Sequence, residues 1–112
     1  MRNISASLTK RQILNKSKKE TRRLGWWFLK PGDHLMFVEK GMGLKKGEKI
    51  KRLHEVIVES TRPERLDKIT EIDIVNEGFP GKSPKWFIDF FCRTQKKCTP
   101  ATVVNVIRFR YA

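Results

Sequence analysis

Long hydrophobic runs are missing from this sequence. No apolar stretch approaches the ~20 residues that a bilayer-spanning helix requires, and the opening residues, Met1 to Lys10, lack the apolar segment of a secretory signal. A soluble, cytoplasmic chain with no membrane partner is therefore expected. Cysteine is almost absent: Cys92 and Cys98 are the only two. That excludes a disulfide framework and points to free thiols in a reducing compartment, with Cys92 read as a small core residue. His34 and His54 lie too far apart in sequence to complete a structural zinc site with them, so neither a metal nor another cofactor is expected. Repeats and low-complexity tracts are absent. Gly41-Met42-Gly43 does not continue into a dinucleotide-binding pattern, and no glycine-rich phosphate loop exists.

Acidic residues are also scarce. Twelve Asp and Glu face 25 Lys and Arg among 112 residues, a net charge of +13. Such an excess attracts polyanions, nucleic acid foremost. It is unevenly spread. Residues 1–30 carry nine bases and one acid, Glu20, whereas Glu59 to Glu77 carries six acids against Arg62, Arg65 and Lys68. A localised basic patch follows from that asymmetry.

The apolar fraction, 38%, supports one packed core in a single domain over residues 1–112, with residues 1–7 frayed. Thr9 and Gln12 have capping-box spacing, with Leu8 and Ile13 as a hydrophobic staple, so a short helix over Lys10–Lys16 is predicted. Ser17 to Arg23 is too charged to be core. Gly25 and Trp26-Trp27 lead into the turn signal Lys30-Pro31-Gly32-Asp33. His34–Glu39 reads as a strand, and Gly41–Gly47 as a glycine- and lysine-rich turn. Lys49–Arg62 reads as a long strand with a bulge between Leu53 and Val56, ended by Pro63. Leu66–Gly78 reads as helical, with Thr70 and Asp73 as capping box and Gly78 just past the end. Ser83-Pro84 starts a helix that buries Phe87, Phe90 and Phe91, with Trp86 beside them. Thr102–Tyr111 is the strongest strand, expected at the sheet centre with Arg108 and Arg110 emerging at one end. The class is α+β: a mixed β-barrel of about five to six strands with peripheral helices.

Three groups of residues can carry chemistry. In the first, Thr21 and Arg23 project to one side of an extended segment. Positive neighbours (Lys16, Lys19, Arg22, Arg23) lower the pKa of Lys18, so that it could take a proton from the Thr21 hydroxyl. The plainer alternative is a solvated basic face that grips phosphates. The second is Glu77, a carboxylate set against the helix dipole, free to face the basic cluster or an exocyclic amine of a base. The third is Trp26-Trp27, a stacking platform for bases unless one of the rings fills the core.

In this order the pieces Lys18-x-x-Thr21-x-Arg23, Pro31-Gly32-Asp33, Ile69-Thr70-x-x-Asp73 and Glu77-Gly78-Phe79, with Phe87 to Phe91 and Val103 to Tyr111, resemble the ASCH family of PUA-like domains. The resemblance covers residues 8–111, and the stretch from Thr21 to Trp26 is similar to small ASCH proteins of phages and bacteria. Lys16 stands where that family often carries glycine. The resemblance implies a PUA-like barrel with a cleft against its helices and binding of RNA or a nucleotide-like ligand. In the amidohydrolase branch, which deacetylates acetylated cytidine, the catalytic lysine, threonine and glutamate fall on Lys18, Thr21 and Glu77. Lys16, Lys19, Arg22, Arg23, Trp26 and Trp27 are then the ligand-binding set. Single-stranded RNA cleavage and a phage accessory role, with the basic face meeting an acidic host protein, are further readings. Oligomeric state is not legible.

Overall fold

The computed structural model describes residues 1–40 and 45–112. Part of the expected glycine- and lysine-rich turn, residues 41–44, lies outside the described residues. Five strands form one curled sheet: β1 (Arg2–Ser5), β2 (Glu20–Arg23), β3 (His34–Val38), β4 (Arg52–Arg65) and β5 (Val103–Tyr111), in the order β1-β3-β4-β5-β2. The β1–β3 pair is parallel, and every other pair is antiparallel. Among the described residues three helices, α1 (Lys10–Leu14), α2 (Glu71–Glu77) and α3 (Pro84–Thr94), complete an α+β half-barrel.

Residues 2–5 are thus not frayed. They add an edge strand to β3, in register from Arg2 with Leu35 to Ser5 with Val38, and Ile4 is buried in the core. The half-barrel has two edges, β1 and β2. Arg23 bridges them, its Nη2 donating to the carbonyl of Ser5 at 2.6 Å. A side chain, instead of a further backbone ladder, closes the seam.

Strand β5 packs on both faces, as a central strand must. Ile107 and Phe109 join Phe37, Val56 and Val58 inside the half-barrel, while Val104 packs on the other side with Leu66, Ile74, Phe87 and Phe91. Asn105 shares a face with Ile107; its Nδ2 donates to the Trp26 carbonyl at 3.0 Å, while its Oδ1 is buried without a partner among the described residues. The expected slip in alternation there is a polar residue at the barrel rim.

Strand β4 is as long as expected but lies three residues further along, and it runs through Pro63, which pairs with Asn105. Its other edge pairs with β3 only as far as Ile57, so Pro63 lies on a locally open edge and costs no second ladder bond. A bulge falls at Leu53, skipped between the Arg52–Val38 and His54–Phe37 pairs, and a second register shift lies between Val58 and Ser60.

Capping rules locate the helices with mixed success. Thr70 and Asp73 form the capping box, and Gly78 ends α2 with φ 101°. Ser83 caps α3, with Pro84 in its first turn. The segment 66–78 is not one helix, however: a 3-10 turn at Leu66–Lys68 precedes an extended Ile69 and Thr70. At α1 the expected box is absent. Thr9 makes no side-chain cap, and Leu8, 66% exposed, is no staple. A 3-10 turn over Ser7–Thr9 occupies that entry and turns Thr9 inward. Helix α1 also stops at Leu14 because Lys16 has left-handed backbone, φ 63°. A lysine here adopts the conformation that glycine adopts most cheaply, so the turn into β2 survives at the expense of strain.

Two substitutions test this account. Lys16→Gly should relieve the strain and stabilise by ~0.5–1 kcal/mol. Gly78→Ala should destabilise by ~1–3 kcal/mol, since φ is positive and a Cβ would stand 3.1 Å from Gln12 Cγ. Urea unfolding checks both, and opposite signs are the expected outcome.

Candidate functional site

Strand β2 carries charge into the protein. Lys18, Glu20, Thr21 and Arg22 are all buried, correcting the expectation that Ser17–Arg23 stays outside the core. Burying an ion costs several kcal/mol unless partners meet it, and the partners come from β4 and α2. Lys18 Nζ donates to the backbone carbonyl of Glu77 at 2.6 Å and to its Oε1 at 3.1 Å. It therefore caps the C-terminus of α2 and pairs with the carboxylate that the helix dipole disfavours. The two side chains are 4% and 3% exposed. Arg22 is enclosed by Glu20 at 2.9 Å, Glu77 at 3.1 Å, Asp73 at 3.2 Å and Glu64 at 3.3 Å. Tyr111 fixes the entry to β2 by donating its hydroxyl to the Lys18 carbonyl at 2.6 Å.

These contacts set the electrostatics. Burial holds the Lys18 ammonium below its ordinary value of 10.5, with Glu77 opposing and Arg23 adding to the depression. The direction matches the sequence reading, but burial is the main cause and repulsion a lesser one. Burial pushes Glu20 up, against the pull of Arg22. For Arg22, burial is overcome by Glu77, Glu20 and Asp73, so its guanidinium is held charged. Burial lowers Arg23 as well.

A cavity of about 220 Å³ opens beside this cluster. Its floor is Lys18, Thr21, Arg23 and Glu77, and Phe79 and Phe90 form an aromatic wall with Phe87 and Phe91 behind. The segment from Ser5 to Thr9, with Thr94 and Gln95, completes the lining. Lys18 Nζ lies 5.9 Å from the centre of the Phe79 ring. Thr21 Oγ1 accepts from Arg23 Nε at 3.0 Å. The cavity therefore sits at the β1–β2 seam, roofed by α3, and joins an apolar wall to a few convergent polar groups. That composition suits a small, flat, partly polar ligand.

Lys18, Thr21, Glu77 and Arg23 are thus brought together. The remaining candidates are not. Lys16 and Lys19 are exposed and outside the cavity lining. Arg22 lines the cavity, with Nη1 and Nη2 on carboxylates and Nε buried without a partner among the described residues. Trp26 packs partly against the barrel core, and Trp27, 53% exposed, lies on the outer surface; neither lines the cavity. Sequence reasoning missed the carboxylates Glu20, Glu64 and Asp73 as partners, and Phe79 and Phe90 as wall. A signal for Phe90 was available. Phe87 and Phe91, four residues apart, already fill the buried stripe, and Phe90 widens it towards the surface. Among the described residues no cluster of His, Cys, Asp and Glu could hold a metal ion. No helix among them is long and apolar enough to cross a membrane.

No family model and no curated protein matches the sequence. Solved structures do resemble this one. An ASCH domain from Lactobacillus crispatus JV V101 superposes with TM-score 0.66 at 16% identity, over 98% of this chain and 79% of that one. The hypothetical protein PH0355 gives TM-score 0.70 at 19% identity, over 100% of both chains. Protein EF3133 from Enterococcus faecalis V583 gives 0.63 at 11% identity, over 92% of this chain and 66% of that one. The fold is therefore the α+β half-barrel fold that the ASCH domain structure also has.

The ion cluster predicts its own energetics. Glu77→Ala leaves Lys18 and Arg22 buried without their shared partner and should cost ~3–5 kcal/mol in urea unfolding. The Lys18 contribution also has a pH signature. Its folded pKa lies below the ordinary 10.5, so between the two values the native state binds fewer protons than the unfolded chain. Stability relative to Lys18→Met should rise with pH across that window and be flat below it. A flat difference throughout would count against the burial of a charged lysine.

Proposed function

We propose that the cavity takes a single nucleobase, presented by RNA or by a nucleotide-like ligand, and that the basic surface draws such ligands to it. The observation that carries this reading is the pairing of an aromatic wall, Phe79 and Phe90, with the buried polar floor of Lys18, Thr21, Arg23 and Glu77. A base presents a flat face for stacking and an edge of donors and acceptors. The volume, about 220 Å³, lies below the ~300–1,000 Å³ typical of larger small-molecule sites, and so favours one base over a longer segment. The net charge of +13 supports long-range attraction to phosphates, with Lys16 and Lys19 as exposed contacts and Trp27 as a further stacking surface outside the cavity. The ASCH fold is consistent with this reading.

A second reading is favoured by the buried lysine. With its pKa lowered, Lys18 can shed its proton and act as a base towards the Thr21 hydroxyl, which shares the cavity. The substrate class would be a base bearing an N-acyl group, such as acetylated cytidine. Thr21 Oγ attacks the acyl carbonyl, and Arg23, whose Nε rests on the Thr21 hydroxyl, turns a donor to the carbonyl oxygen as it becomes the oxyanion. The C–N bond breaks, the freed amine takes the proton held by Lys18, and Glu77 orients that amine. Water then hydrolyses the threonine ester and releases the carboxylic acid. In the present state Lys18 is bonded to Glu77, so the sequence begins with the ammonium giving up that partner.

Two measurements separate the readings. Titration of a labelled single-stranded oligoribonucleotide should show affinity that falls as salt rises and that drops ~5–100-fold in Phe90→Ala, the loss of one stacking contact. Salt-independent affinity, unchanged by Phe90→Ala, overturns base capture. Incubation with acetylcytidine should release acetate if the second reading holds, with Lys18→Ala and Thr21→Ala each slower by ~100-fold or more. No turnover by the unaltered protein removes the hydrolase and leaves the binding domain.

A further inference from the structure

On the far flank of α3 the two cysteines of the chain have come together. Cys92 lies in the last turns of the helix and Cys98 in the connection to β5. Their sulfurs are 3.9 Å apart, with the Cys92 thiol donating towards Cys98 Sγ. Both are free and half-buried against the second core cluster. A surface hollow lined by Trp86, Asp89, Cys92, Arg93 and Pro100 reaches Cys92, and Cys98 is itself half-exposed between exposed Lys97 and Thr99. A disulfide requires the sulfurs to close by ~1.9 Å to a bond of ~2.0 Å. The intervening segment can follow. Residues 93–97 are all exposed, and Lys97 holds a left-handed φ of 56°, so a short, strained loop and not the core absorbs the change.

We propose that Cys92 and Cys98 form a dithiol site that a small disulfide oxidant, of the glutathione disulfide class, converts into an intramolecular bond clamping the end of α3 to the start of β5. Cys98 attacks first. It accepts the hydrogen bond from its partner, whereas burial and the neighbouring Cys98 push the Cys92 thiol up. The Cys98 thiolate displaces one thiolate from the oxidant and leaves a mixed disulfide. Cys92 then loses its proton and attacks Cys98 Sγ, expelling the second thiol. Two electrons and two protons pass from the protein to the oxidant, which departs as two thiols. The clamp bears on the cavity because Phe91, Thr94 and Gln95, on either side of Cys92, line it.

The test needs no ligand, so its outcome is independent of the base-binding reading. The reduced full chain is treated with excess oxidised glutathione and followed by intact mass and thiol titration. Expected are a loss of ~2 mass units without an adduct and the disappearance of both thiols. A Tm raised by ~5 °C or more should accompany them. Amide exchange over residues 94–97 should slow by ~3-fold or more in the oxidised chain. Cys92→Ser and Cys98→Ser should each stop at one glutathione adduct. If the unaltered chain also stops at adducts, or crosslinks between molecules instead, the dithiol site is overturned. An internal disulfide that leaves both Tm and exchange unchanged overturns the clamp.

Discussion

The arrangement depends on where the positive charges of β2 find their counter-charges. Lys18 just before β2 and Arg22 within it are buried at the edge of the sheet, and leaving either cation there without a partner would cost several kcal/mol. Glu77 answers both, with one carboxylate oxygen to each cation and its backbone carbonyl to Lys18 as well. The same contact docks the end of α2 against β2 and sets the depth of the cavity floor. A second pin secures this junction: Gln12 of α1 donates to the carbonyl of Gly78 at 2.8 Å. Helix α1, strand β2 and helix α2 therefore meet at one point, and the left-handed turns at Lys16 and Gly78 exist to deliver the chain to it.

Ion pairs of this kind add little net stability, because desolvation offsets most of the Coulomb gain; their better-attested value is in selecting one arrangement over others. Here the arrangement selected leaves one cation with few alternatives. Arg22 has four carboxylates around it, whereas Lys18 has one carboxylate and a carbonyl. Arg22 fixes the scaffold, and Lys18 is the member of the cluster whose charge is negotiable. The opposed pKa directions, Lys18 down and Arg22 up, express that division.

How much of this was legible beforehand depended on range. Thr70 with Asp73, Gly78, and Ser83 with Pro84 obey rules that span four residues or fewer, and they stand where the sequence places them. Thr9 obeys the same rule on paper and fails, because its neighbours line a cavity the local pattern cannot register. Strand β1 was not legible, since four residues with one buried apolar side chain carry no periodicity, and their partner begins at Leu35. Ser17–Arg23 was misjudged for the same reason on a larger scale. Whether Lys18 and Arg22 are surface or interior is decided by Glu64, Asp73 and Glu77, 42 to 59 residues away. The convergence of Lys18, Thr21 and Glu77 was anticipated through family resemblance, not through any local rule.

The charge of the whole chain and the charge of the cavity also have different consequences. The excess of +13 belongs to the surface, where Lys16, Lys19 and many other bases are exposed. Its field extends over roughly a Debye length, ~8 Å at physiological salt, and discriminates poorly among polyanions. Inside, Lys18 and Arg22 face carboxylates, while Arg23 is bonded to the Thr21 hydroxyl and the Ser5 carbonyl. Under the base-capture reading, a floor so largely neutralised favours a neutral group that offers both a donor and an acceptor over a bare phosphate. On that reading, attraction and selection are carried out by different residues. That separation follows from burying Arg22, whose Nη1 and Nη2 are held by carboxylates and so serve the scaffold, leaving Arg23 as the guanidinium of the cavity floor.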